Sequence, residues 1–199
     1  MIFRQILPAV ILIFALSLAG CRKIDLSPKN KNNIAGKGIT YLIRKGNHES
    51  DQHAYTAVQY SEQKFKVLFD SSAIYKALTP GNQFDIHKLY GFSDNDGDHH
   101  KFSARFGWRW ENNALRVFSY VYNNSILSKK EIMTLAIGTT YDCAIKINKE
   151  EYLFRVNDKT VSMPRLSSTV TGKGYKLYPY FGGDETAPHD IRIWIKESE

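Results

Sequence analysis

From Gly38 onward the chain alternates apolar and polar residues with a period of two, and no sustained helical period appears. That alternation puts successive side chains on opposite faces of extended strands, so the chain has to build sheets with one buried face. Strands are expected at residues 38–44, 64–69, 88–92, 102–110, 115–122, 141–147, 152–156 and 191–195. Asn157-Asp158 and Asn112-Asn113 separate neighbouring runs as two-residue hairpin turns. The second turn lets a register be tested. If Glu111 pairs with Ala114, then Trp110, Trp108, Phe106 and Ala104 oppose Leu115, Val117, Ser119 and Val121 on a nearly continuous apolar face. The other face pairs Arg109 with Arg116, Gly107 with Phe118, Arg105 with Tyr120 and Ser103 with Tyr122. A slip of one residue would mix the two sets. Trp108 and Trp110 therefore belong to the core rather than to an exposed stacking platform. Ser128-Lys129-Lys130-Glu131 reads as a capping box ahead of "IMTLAI", and there helix and strand stay equally open.

The first residues have a different character. Arg4 precedes an apolar run ending in Leu18-Ala19-Gly20-Cys21, shorter than the about 20 residues needed to span a bilayer. The Leu-Ala-Gly-Cys ending resembles a bacterial lipoprotein box, which implies removal of residues 1–20 and lipidation of Cys21. Residues 21–37 then form a polar, flexible tether and residues 38–199 a single β-sandwich domain. The expected location is the cell envelope, with the chain held on membrane lipid through Cys21 and the outer membrane favoured. An acidic surface-export run after the cysteine is missing, so either face of the membrane stays open. Cys143 falls in step with Tyr141, Ile145 and Ile147 and reads as a small buried hydrophobe.

Formal net charge is +7, or +6 once a leader containing Arg4 and no acids is removed. The excess favours an anionic partner or surface. The basic residues are scattered and follow no nucleic-acid motif, so no nucleic-acid partner is expected. A phosphate-binding glycine loop, a Gly-x-Ser-x-Gly elbow and a Cys-x-x-Cys pair are all missing from the sequence.

Taken together, the short strands, the run "KLYGFSDNDGDHHKFSARFGWRW" and the closing "YKLYPYFGGDETAPHDIRIWIK" resemble an all-β, two-sheet antiparallel jelly-roll sandwich of the concanavalin A-like lectin and glucanase type. The likeness is greatest to secreted or lipid-anchored members from Bacteroidota. It implies a carbohydrate site on the concave sheet or on the loops at its rim. The wider superfamily includes glycoside hydrolases and polysaccharide lyases. A retaining hydrolase needs two carboxylates about 5–5.5 Å apart, and the single-strand Glu-x-Asp-x-x-Glu pattern of jelly-roll glucanases does not occur here. For a lyase, Arg105, Arg109 and Arg116 are candidates to neutralise a uronate carboxylate, with Tyr120, Tyr122, Tyr178 or His87 to move protons. The lyase strand patterns Arg-x-Glu-x-Arg and Gln-Ile-His are only echoed, by "RFGWR" and "DIH".

The expected function is carbohydrate binding, most simply of anionic polysaccharide, with a polysaccharide lyase as the alternative. Arg105, Arg109, Arg116, Tyr120, Tyr122 and Tyr178 form the candidate ligand surface. Between two strands lies "SDNDGDHH", where Asp94, Asp96 and Asp98 are a candidate Ca2+ set. An EF-hand register from Asp94 fails at its sixth position, His99, and at its twelfth, Arg105. On a strand, His99 and His100 would point to opposite faces. Asp184, Glu185 and His189 in the loop "FGGDETAPHD" are expected to brace it.

Overall fold

A computed structural model describes residues 38–198. The leader, Cys21 and the tether expected over residues 1–37 lie outside the described residues, as does Glu199. Twelve strands are described: β1 (Ile39–Ile43), β2 (Ala57–Tyr60), β3 (Glu62–Phe69), β4 (His87–Ser93), β5 (Phe102–Glu111), β6 (Ala114–Asn123), β7 (Ile126–Leu135), β8 (Thr140–Ile147), β9 (Glu151–Val156), β10 (Lys159–Pro164), β11 (Gly172–Leu177) and β12 (Ile191–Ser198). They form two six-stranded antiparallel sheets, ordered β1-β12-β3-β8-β9-β10 and β2-β11-β4-β5-β6-β7.

The hairpin β5–β6 has the register that its sequence dictates, from Glu111 opposite Ala114 to Ser103 opposite Tyr122. Asn112 and Asn113 both have positive φ, the condition for a two-residue turn whose twist matches its strands. Ala104, Phe106, Trp108, Val117 and Val121 are buried on the inner face. Aromatic contacts tie the two sheets together, with ring centroids of Phe65 and Phe106 5.6 Å apart, Phe106 and Phe154 5.2 Å, and Phe69 and Trp108 5.3 Å. Trp110 packs partly buried against this core. Cys143 is buried and free, and burial pushes its thiol pKa well up.

Residues 126–135 are strand β7, which resolves the helix-or-strand ambiguity against the capping box. Asn124 and Ser125 have positive φ and return the chain directly from β6, so it is already paired before a helix can start. β7 is an edge strand with most of its residues exposed, which is why its sequence lacks a clean alternation.

Candidate functional site

The outer face of the second sheet is not an ordinary solvated surface. Arg105 is only 6% exposed there, Tyr120 6% and Phe118 5%. Paired residues on antiparallel strands share a face, so Lys88, Gly107 and Phe118 form one row. Gly91, Arg105 and Tyr120 form the next. Lys88 and Gly91 are three residues apart and would fall on opposite faces of a regular strand. A β-bulge between them turns both Leu89 and Tyr90 into the core and leaves Lys88 and Gly91 outward. Gly91 is required here, because a Cβ on it would collide with Arg105.

Over this floor lies a cleft of about 540 Å³. Its walls are the segment carrying Glu49, His53 and Tyr55, the turn carrying His99 and His100, and the Tyr178–Gly183 loop. Arg105, Lys88 and Tyr175 face it from the sheet. The Lys88 ammonium lies 5.2 Å and the Arg105 guanidinium 5.3 Å from the Tyr120 ring centroid. Among the described residues neither cation has a carboxylate within 4 Å, and Arg105 Nε has no hydrogen-bond partner. Burial, helped by the neighbouring Arg105, brings the Lys88 pKa down to about 8. Burial likewise lowers the Arg105 pKa and raises that of Tyr120 to about 12. Holding charge in a poorly hydrated place is costly when the opposite charge is not in contact, as with Asp85, which acts on Lys88 only from beyond 4 Å, and an anion entering the cleft would offset that cost.

Arg109 and Arg116, expected to bind ligand, are engaged by the chain itself. Glu111 Oε2 lies 2.6 Å from Arg109 Nη2 and 3.5 Å from Arg116 Nε, as ion-pair contacts without hydrogen-bond angles. Arg116 Nη1 donates to Glu131 at 2.9 Å, and Arg109 Nη1 to the Phe84 carbonyl at 2.7 Å. The anion that two facing arginines need is therefore Glu111. Its signal was in the sequence, because Arg109 and Glu111 sit at i and i+2 of one strand face. Tyr122 extends the floor towards His100, ring centroids 5.5 Å apart, and Tyr178 lines the cleft while its hydroxyl donates to Ala54 O at 2.9 Å. Arg105, Tyr120, Tyr122 and Tyr178 are thus gathered, whereas Arg109 and Arg116 are neutralised away from the cleft. Sequence reasoning missed Lys88, Tyr55, Tyr175 and Tyr180.

His87, a candidate for proton transfer, faces inward. Its ring stacks on Phe181 at 3.6 Å and abuts Trp108, and burial lowers its pKa to about 3. It is a neutral core histidine.

The calcium set does not assemble. Asp94 is buried in an ion pair with Arg165, Nε to Oδ2 2.8 Å, and also accepts from Tyr152, Asn95 N and Lys173 N. Asp96 is paired with Lys173 at 2.8 Å, and Asp98 is held in the turn by the His100 N–H at 2.7 Å. Three acids with three separate partners cannot supply the six to eight oxygen ligands calcium takes. Because residues 99 and 100 form a turn rather than a strand, their rings come within 4.1 Å on one side of Asp98. In the closing loop, Glu185 accepts from Leu78 N, Thr79 N and Asn82, and His189 contacts Ser72 O, so both brace it.

No protein-family model matches the chain, and no curated protein does. Solved structures do. SCLam, a non-specific endo-β-1,3(4)-glucanase from family GH16, superposes with a TM-score of 0.54 at 10% identity, covering 80% of this chain and 69% of that one. The fold is a concanavalin A-like jelly roll. A GH16 protein from Bacteroides ovatus in complex with G4G4G3G product gives 0.49 at 7% identity over 83% and 84% of the two chains. Alginate lyase vAL-1 from Chlorella virus gives 0.45 at 12% identity over 80% and 82%.

Proposed function

We propose that this jelly roll binds anionic polysaccharide, with the carboxylate of a uronate unit seated between Arg105 and Lys88. The observation that carries this reading is the pair of poorly hydrated cations in the cleft, without carboxylate partners within 4 Å among the described residues. A guanidinium offers a fork to a carboxylate through charge-assisted bonds, and the surrounding tyrosines present flat apolar faces to sugar rings. Hydrolysis is disfavoured, because Glu49 is the single carboxylate among the cleft-lining residues and a retaining mechanism requires two.

A second reading, eliminative cleavage, is favoured by the lowered Lys88 pKa. In that chemistry the uronate carboxylate is neutralised, its C5 proton is taken by a base, and the C4–O bond breaks as a proton reaches the leaving oxygen. Arg105 is the neutralising group, Lys88 in its free-amine form the base, and the Tyr175 or Tyr178 hydroxyl the acid.

One experiment separates the readings by opposite signs. A bound carboxylate raises the Lys88 pKa again, so affinity should hold below about pH 8 and weaken as pH rises from there towards the ordinary lysine value. Arg105 keeps its charge throughout and does not contribute to this slope. A lyase rate should instead climb as pH approaches about 8, with ultraviolet absorbance from an unsaturated uronate product. Titration of acidic polysaccharides between about pH 6 and pH 10 reads both. No retention and no absorbance anywhere in that range would remove both readings.

The reading includes anchoring on envelope membrane lipid through acylated Cys21. A Cys21→Ser chain should leave the membrane fraction and lose label from a fatty-acid probe. Unchanged labelling would refute the anchor.

A further inference from the structure

We propose that a second subsite beside the cationic cleft takes the next sugar of the same polymer and favours an uncharged unit. The ligand class is then an alternating polymer of uronate and N-acetylhexosamine rather than a homopolyuronate. This rests on the preceding assignment of the uronate to Arg105 and Lys88.

A depression of about 610 Å³ adjoins the cleft. Both volumes fall in the range of about 300–1,000 Å³ typical of small-ligand sites. The two share Tyr55 and Tyr175 as common walls, so a chain leaving one passes these rings to enter the other. Tyr55 is 77% exposed, and its ring stands 5.5 Å from that of Tyr175, tilted by 35°. It is set in an extended segment between β1 and β2 and buries nothing in the core, which leaves its face available to a sugar.

The two depressions have opposite polarity. The cleft carries Lys88 and Arg105. The second depression carries Asp96, Asp98 and Lys173, and the Lys173–Asp96 pair cancels, leaving the Asp98 charge. The His100 N–H, and secondarily the two imidazoles, keep the Asp98 carboxyl below its ordinary pKa. A second uronate there would meet a like charge, whereas hydroxyl and acetamide groups find the Gln59 amide and the backbone of Gly97 and Gly174. A homopolyuronate places a carboxylate in both positions; an alternating polymer places one only where the cations are.

Calorimetric titration of the wild-type protein, Tyr55→Ala and Asp98→Asn with three hexasaccharides tests this. The probes are a homopolyuronate, an alternating uronate–N-acetylhexosamine and a neutral glucan. The alternating probe should bind wild type roughly tenfold more tightly than the homopolyuronate. Tyr55→Ala should weaken the alternating probe about tenfold and narrow its advantage over the homopolyuronate. Asp98→Asn keeps an oxygen for the His100 N–H, so the turn persists, and it should improve homopolyuronate binding about threefold to tenfold. Homopolyuronate binding as tightly as the alternating probe, or an unmoved preference in Asp98→Asn, overturns the second subsite while the uronate cleft stands. Failure of both acidic probes, or equal binding of the neutral glucan, overturns the uronate cleft itself. Thermal melts confirm that each variant is folded.

Discussion

Replacement of Arg165 by alanine should destabilise the domain by about 3–5 kcal/mol, because it leaves a buried carboxylate without its cation. Asp94 and Arg165 both have side chains 0% exposed. Arg165 reaches Asp94 through Nε at 2.8 Å and Nη2 at 3.3 Å, and also bonds Ser167, Thr169 and the Thr171 carbonyl. Asp94 follows β4 in the second sheet and Arg165 follows β10 in the first, so the pair fastens the ends of the two sheets to each other. For a domain of this size the loss corresponds to a fall of about 6–20 °C in Tm, read by circular dichroism. The double change Asp94→Asn with Arg165→Met should cost less, since no lone charge is left behind. Burial acts to raise the Asp94 pKa, but the bonds from Arg165 and Tyr152 outweigh it and hold the group below its ordinary 3.8. The stabilisation is thus fully present above about pH 5 and disappears as pH falls through the folded-state pKa, so wild type should lose stability in acid more steeply than the double variant. Arg165→Ala unfolding at the wild-type temperature would show that the Asp94 carboxylate does not depend on this cation.

This pair also marks the limit of what the sequence discloses. The β5–β6 register was legible because both faces were sorted within twenty-two residues and the turn fixed the pairing. Asp94 was equally visible, but as a metal ligand. Its partner lies 71 residues away, in a stretch without periodic signal. Lys88 was hidden for another reason. Parity assigns it and Gly91 to opposite faces, and only the bulge, two adjacent core residues Leu89 and Tyr90, brings both to the cleft. Strands β2 and β11 escaped because their polar and glycine residues serve the site and carry little of the core alternation. Tyr55 has no local signal, since its place depends on the path of a loop.

Arg105→Ala should weaken binding of an acidic oligosaccharide about tenfold to a hundredfold, whereas Arg109→Ala, two repeats of the pleat along the same strand face, should change it less than about twofold. The difference lies in their counterions. Arg109 is paired with Glu111 and donates to Phe84 O, while Arg105 has no carboxylate within 4 Å among the described residues; the Nε of both lacks a hydrogen-bond partner, so the counterion alone separates them. An arginine kept buried in this condition is unfavourable to the fold, so Arg105→Met, which keeps most of the packing volume against Tyr120, should leave Tm unchanged or raise it while weakening the same binding by a similar factor. Stability gained together with binding lost is what a ligand-directed charge gives; a structural arginine gives the reverse. Arg105→Lys should recover only part of the affinity, because a lysine keeps the charge but not the fork that meets both carboxylate oxygens. Should Arg105→Met melt well below wild type, the guanidinium is holding the sheet together, and the cleft's anion would have to be sought at Lys88 alone.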